Sequence, residues 1–151
     1  MLSSILISLE KKHADNIFCG TKRVEFRRRA ISVDAGTEIW IYVKKPYGKI
    51  VGKAVVEKVF NSSPGSLWKK FSRVSGLNRK EFFSYFEGVE TGCAIYLKNA
   101  SELEKPVSLE QLRDVLPGFH PPQFFIRLDS HNRLGPFIEK LEEAPISDMA
   151  I

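Results

Sequence analysis

The chain has little material for disulfides or clustered metal ligands. Cys19 and Cys93 are its two cysteines among 151 residues, too few for a disulfide framework, and no Cys-x-x-Cys or Cys/His cluster supplies four closely spaced zinc ligands. Apolar runs are short: none approaches the roughly 20 residues of a membrane-spanning helix. The opening stretch MLSSILISLEKKHA lacks a basic leader and a cleavage region. Internal repeats, low-complexity tracts and linker-like segments are missing as well. These absences argue against a disulfide scaffold, a zinc ribbon, a helical membrane protein and a repeat array. They set the expectation of a cytoplasmic protein with a single domain over residues 1–144 and a frayed tail over 145–151.

What the chain does contain is apolar mass and positive charge. Hydrophobic residues make up 43% of it, with eleven Phe, four Tyr and two Trp, a composition that supports one packed core. The net charge of +5 is unevenly placed. Residues 1–100 carry 18 Lys and Arg against nine Asp and Glu, whereas residues 101–151 carry five against nine. Such an asymmetry draws polyanions to one side of a molecule, which makes nucleic acid a candidate partner.

Periodicity orders the elements. SILISLE (3–9) alternates as a strand with one buried face, and EKKHADNIFCG places Ala14, Ile17 and Phe18 at helical spacing before a glycine stop. In KRVEFRR, Val24 and Phe26 alternate with Arg23, Glu25 and Arg27, so a strand there sends two side chains to the core and three charges to the other face. TEIWIYVKK and KIVGKAVVEKVF read as strands of a hairpin with Tyr47 at its tip and a bend at Gly52. Ser66 is a candidate cap for a helix carrying Leu67, Phe71 and Val74, and Asn78 with Glu81 forms a capping pair before Phe82, Phe83 and Phe86. TGCAIYLKN (91–99) is a strand, Ser108 with Gln111 a second capping box, PGFHPP a non-helical loop, and QFFIRL (123–128) a strand. Pro136 fits the first turn of a last helix carrying Phe137, Ile138 and Leu141. Short strands with interspersed helices point to an α+β fold on a small, partly closed β-barrel.

The stretch ISLEKKHADNIFCGTKRVEFRRR resembles the opening signature of the activating signal cointegrator homology (ASCH) domain of the PUA-like superfamily: strand, helix, glycine turn, lysine, then a strand reading Glu-x-Arg. The matching positions are Gly20, Lys22, Glu25 and Arg27. KIVGKAVVEKVF and PPQFFIRL are similar to the family too, so the resemblance spans most of the chain, with the helical insert at 62–88 least constrained. It implies a mostly antiparallel β-barrel surrounded by helices, with a cleft where the lysine and the Glu-x-Arg strand meet the loop entering the last strand. It also implies RNA or nucleotide recognition, and in some branches hydrolysis.

The cleft that the resemblance implies is expected to hold Lys22, Glu25, Arg27, Tyr47, Lys53 and Gln123, with Arg23, Arg28, Arg29, Lys44 and Lys45 supplying a field that attracts phosphate. Cations of this kind track the backbone of single-stranded RNA while an exposed aromatic, here Tyr47, stacks on a base. Trp40 falls on the core side of its strand. The family's amidohydrolases of acetylated cytidine need a nucleophilic hydroxyl three residues after the lysine. Glu25 stands there instead, and Thr21 points elsewhere, so that chemistry fits poorly. A ribonuclease needs groups such as Lys22, Glu25, Tyr47 and Lys53 to move the 2′-hydroxyl proton and stabilise a phosphorane. The plainer readings are a solvated basic face, a hairpin tip and a structural ion pair. His120 in the cleft-side loop is a candidate acid or base, while His13 and His131 show no constellation. A third reading, a protein-interaction module, uses the acidic C-terminal third, with Glu139, Glu142 and Glu143. None of these readings calls for a metal or an organic cofactor.

Overall fold

The structure, a computed structural model, describes residues 3–129 and 133–141; the expected tail at 145–151, His131, Glu142 and Glu143 lie outside them. Six strands and five helices follow one another: β1 (Ser4–Leu9), α1 (Lys11–Phe18), β2 (Val24–Arg27), β3 (Glu38–Val43), β4 (Lys49–Ser62), α2 (Pro64–Phe71), α3 (Arg79–Tyr85), β5 (Gly92–Ser108), α4 (Leu109–Val115), β6 (Phe125–Arg127) and α5 (Leu134–Leu141). The strands form one curled half-barrel sheet in the order β2-β5-β4-β3-β1-β6, antiparallel except for the β1–β3 pair. This is the α+β, PUA-like architecture. Among the described residues no helix is long and apolar enough to cross a membrane.

β1 departs from the expectation of a single buried face, because Ile5 through Leu9 are all buried. The strand lies inside the sheet, and each side has its own cover. Ile5, Ile7 and Leu9 join Ile39, Ile41 and Val43 beneath Ala14 and Ile17 of α1. Leu6 joins Trp40 and Tyr42 beneath Leu112 of α4 and Leu134 and Ile138 of α5. Period-2 alternation therefore sorts residues between two cores here, not between core and water.

A third cluster fixes the basic strand. Val24 and Phe26 of β2 pack with Leu67, Phe71, Phe82 and Phe86 of the α2–α3 insert. The Phe26 ring meets those of Phe82 and Phe86 edge-on at 4.9 and 5.8 Å, a favoured aromatic geometry. The insert is thereby clamped beside β2. Its first helix begins at Pro64, and Ser63 accepts the Ser66 amide as cap. The cap thus lies three residues before the expected Ser66, since proline at the first helical position leaves no amide to satisfy. Both capping boxes, Asn78–Glu81 and Ser108–Gln111, form as the sequence indicates.

The largest departure in length is β5, which runs from Gly92 to Ser108 where TGCAIYLKN marked only 91–99. Its second half is polar and carries little strand pattern, but β4 pairs with it as far as Lys49↔Ser108 through three register shifts. One shift lies at Gly52, whose added Cβ would meet the Ser101 carbonyl and, at 2.8 Å, the Phe18 ring. The expected bend is a close backbone approach. At the other end, β6 keeps only Phe125–Arg127 of QFFIRL, set by its pairing to Ile5–Ile7.

Candidate functional site

Lys22 leaves α1 through a turn in which its amide donates to Asn16 O at 2.9 Å. The side chain then runs inward to 3% exposure, where Nζ donates to Ser75 O at 2.6 Å and sits 5.5 Å from the Phe26 ring centroid. Gly76 makes room for it. That residue has φ +68°, and a Cβ there would lie 3.2 Å from Lys22 Cβ. Burial lowers the Lys22 pKa, with the Glu25 carboxylate pulling the other way.

Glu25 projects from β2 two residues before Arg27, and strand alternation puts the two side chains on one face. Arg27 Nη2 lies 3.0 Å from Glu25 Oε2. The direct partner of this buried carboxylate is therefore Arg27, and Lys22 acts on it through space. Arg27 Nη1 also donates to Phe124 O at 3.3 Å, and Ser8 Oγ to Pro122 O at 2.7 Å. These two bonds hold the loop before β6 against the open end of β2 and β1.

The result is a cleft of about 1210 Å³ floored by Lys22, Glu25 and Arg27, walled by the start of α1, by α3 and by residues 123–125, and rimmed by Arg28, Arg29, Lys44 and Lys12. The rim cations are not equivalent. Lys12 is engaged by Glu81 at 2.8 Å, and Arg28 Nη1 donates to the carbonyls of Tyr85 and Glu87 at 2.7 and 3.1 Å. Among the described residues, the charged ends of Arg29 and Lys44 have no ion pair or hydrogen bond, which leaves them available to an anion.

Of the sequence-derived candidates, Lys22, Glu25, Arg27, Arg28, Arg29, Lys44 and Gln123 line this cleft. Lys45 and Tyr47 line a shallower pocket of about 580 Å³ beside it, which shares Glu10 and Lys44 with the cleft. Two candidates are placed elsewhere. Lys53 Nζ lies 2.6 Å from Glu38 Oε2 and 5.4 Å from the Trp40 ring, because the β3–β4 register sets Lys53 opposite Trp40. Arg23 extends over the Tyr96 ring at 5.6 Å. Neither lines the cleft. Tyr42, two residues before Lys44 in the chain, is buried at 1% exposure, and His120 is exposed outside the cleft lining.

His13 and Phe124 are among the cleft residues that escaped sequence reasoning. His13 lines the cleft, half-buried, and its pKa is lowered by burial and then by the Lys22 charge. Its position one helical turn before buried Ile17 was the available signal. Phe124 reads as a strand residue, yet it stands 62% exposed at the cleft mouth; only the late start of β6, at Phe125, reveals that. Among the described residues no group of three or more His, Cys, Asp or Glu side chains converges as a metal site would require.

The sequence and fold have counterparts among known proteins. The ASCH domain-containing ribonuclease of Zymomonas mobilis is 34% identical over 118 residues, covering 78% of this chain and 79% of that protein. The crystal structure of ASCH from Zymomonas mobilis superposes with a TM-score of 0.78 at 32% identity, over 82% of this chain and 85% of that one. A hypothetical protein from Leishmania major, 12% identical with a TM-score of 0.58 over 96% of this chain and 98% of that one, shares the fold alone. The family model of the ASCH domain matches residues 7–107, and with these likenesses the chain belongs to the ASCH domain family.

Proposed function

We propose that this chain binds RNA in the basic cleft. The observation that carries the reading is the pairing of an electrostatically satisfied floor, Glu25 with Arg27 beside buried Lys22, with a rim where Arg29 and Lys44 have charged ends to spare. Phosphates attach to such a rim by releasing counterions. The floor offers a donor in Lys22 and an acceptor in Glu25, and Gln123 at the mouth adds an amide that both donates and accepts.

Cleavage of the bound strand is favoured by a separate observation, the lowered pKa of Lys22 beside a carboxylate, together with the ribonuclease name of the Zymomonas relative. In this reading Glu25 takes the 2′-hydroxyl proton and the 2′-oxygen attacks the adjacent phosphorus. Lys22 stabilises the phosphorane and gives a proton to the departing 5′-oxygen, which burial makes easier by weakening its hold on that proton. The products are a 2′,3′-cyclic phosphate and a 5′-hydroxyl. Nucleoside deacylation through a side-chain hydroxyl has no counterpart at Glu25.

The test is to incubate the protein and its Lys22→Ala variant with labelled single-stranded RNA at low and high salt, and to run native and denaturing gels. Retardation that weakens with salt supports binding. Shortened RNA with the wild type but not with the variant supports cleavage. Intact, unretarded RNA under every condition overturns both.

A further inference from the structure

Among the described residues three large hydrophobic side chains stay exposed: Phe124 at 62%, Tyr47 at 39% and Tyr85 at 38%. They come from the loop before β6, the β3–β4 hairpin tip and the end of α3, so their grouping owes nothing to chain proximity. All three face one or other of two adjoining depressions that share Glu10 and Lys44. Phe124 and Tyr85 line the cleft, Tyr47 lines the shallower pocket, and Lys44 stands on the boundary of both.

Cations accompany two of these rings, and a third cation grips the backbone of Tyr85. Arg29 Cζ lies 5.9 Å from the Phe124 centroid, Lys49 Nζ lies 5.3 Å from that of Tyr47, and Arg28 grips the Tyr85 carbonyl at 2.7 Å. Phe124 and Tyr85 are also held in place. The Phe124 carbonyl accepts from Arg27, and the Tyr85 hydroxyl donates to Phe26 O at 3.1 Å. Exposed aromatics alternating with cations are the means by which unpaired bases and their phosphates are held together. The cleft alone also exceeds the roughly 300–1,000 Å³ usual for a single small ligand.

We propose that the cleft and the pocket beside Tyr47 are consecutive subsites of one track for a single-stranded polyribonucleotide, with Phe124, Tyr85 and Tyr47 as stacking platforms and Arg29 and Lys44 holding the phosphates between them. The inference rests on the RNA-binding reading and goes further by excluding a mononucleoside as the natural occupant.

Fluorescence anisotropy with labelled oligoadenylates of two, four and eight nucleotides, and with a duplex of eight base pairs, tests it. The expected result is affinity that climbs from the dinucleotide to the octamer, with the duplex bound more weakly. Phe124→Ala and Tyr47→Ala should each weaken octamer binding about tenfold. Both side chains are exposed, so thermal melts should show folded variants. Wild-type binding that ignores length, or octamer binding that ignores both substitutions, overturns the track and leaves the RNA-binding reading standing. No binding of any RNA by the wild type overturns both.

Discussion

The Arg27 guanidinium lies 3.0 Å from the Glu25 carboxylate across one turn of the pleat, with side chains only 13% and 9% exposed. Because the same guanidinium also bonds the Phe124 carbonyl, one residue keeps the floor charge paired and ties down the loop that bears an exposed aromatic.

Removing Arg27 should therefore cost more than an ordinary surface ion pair. Arg27→Ala leaves a buried carboxylate without its direct partner, and a loss of about 3 kcal/mol is expected by urea denaturation. In a Glu25→Gln background the same substitution should cost distinctly less, since no buried charge is then orphaned. Equal costs in the two backgrounds would show that the pair is not coupled.

Stability should respond to pH through Lys22. Its pKa is lowered from 10.5 by burial in the folded protein, while the unfolded chain keeps the ordinary value. Between the two values the unfolded state binds the additional proton, so this residue's contribution to stability grows as pH rises toward 10.5 and is lost as pH falls through the folded value. The difference in unfolding midpoint between wild type and Lys22→Met should move in favour of wild type as pH rises toward 10.5. A difference independent of pH would contradict a strained ammonium.

His13 gives the corresponding effect on the acid side. Burial and the Lys22 charge lower its pKa from 6.5, so its contribution is present above 6.5 and is lost as pH falls through the lowered value. Acid unfolding followed by circular dichroism should begin at lower pH in His13→Gln than in wild type. An unchanged onset would place His13 in a solvent-like setting.

If the rim holds phosphates, salt will report it. Arg29→Ala and Lys44→Ala should each flatten the plot of log affinity for single-stranded RNA against log salt by about 0.7. Lys53→Ala, whose ammonium is beside Glu38, should leave that slope unaltered. The opposite pattern would relocate the binding face.

The fold itself is tested at Gly52. Alanine there brings a Cβ against the Ser101 carbonyl and within 2.9 Å of Glu102 Cα, both backbone atoms of the paired strand that cannot swing aside. A loss of about 1–3 kcal/mol is expected, read from the thermal unfolding midpoint, and wild-type stability would mean that β4 and β5 part here.

Local order in the chain determined a good deal of this. The side-chain period of β2 settled that Glu25 and Arg27 share a face and that Val24 and Phe26 go to the core, since a pleated strand leaves no other choice. The capping boxes at Asn78 and Ser108 were equally local, each closing within four residues. The segregation of positive charge into the first hundred residues, and the order of motifs that resembles the ASCH domain, were likewise present before any folding was considered. Other features were decided by tertiary structure, because they depend on which segments pair or pack. The polar half of β5 is a strand only because β4 lies alongside it. Lys53 leaves the candidate site because the hairpin register sets it beside Trp40 and Glu38. His13 enters it because α1 packs with that turn toward Lys22. Phe124 becomes a platform because β6 starts one residue later, where pairing with β1 begins, and no pattern in QFFIRL carries that boundary. Spacing along the chain sets the direction of a side chain, but what that side chain meets is set by partners distant in sequence.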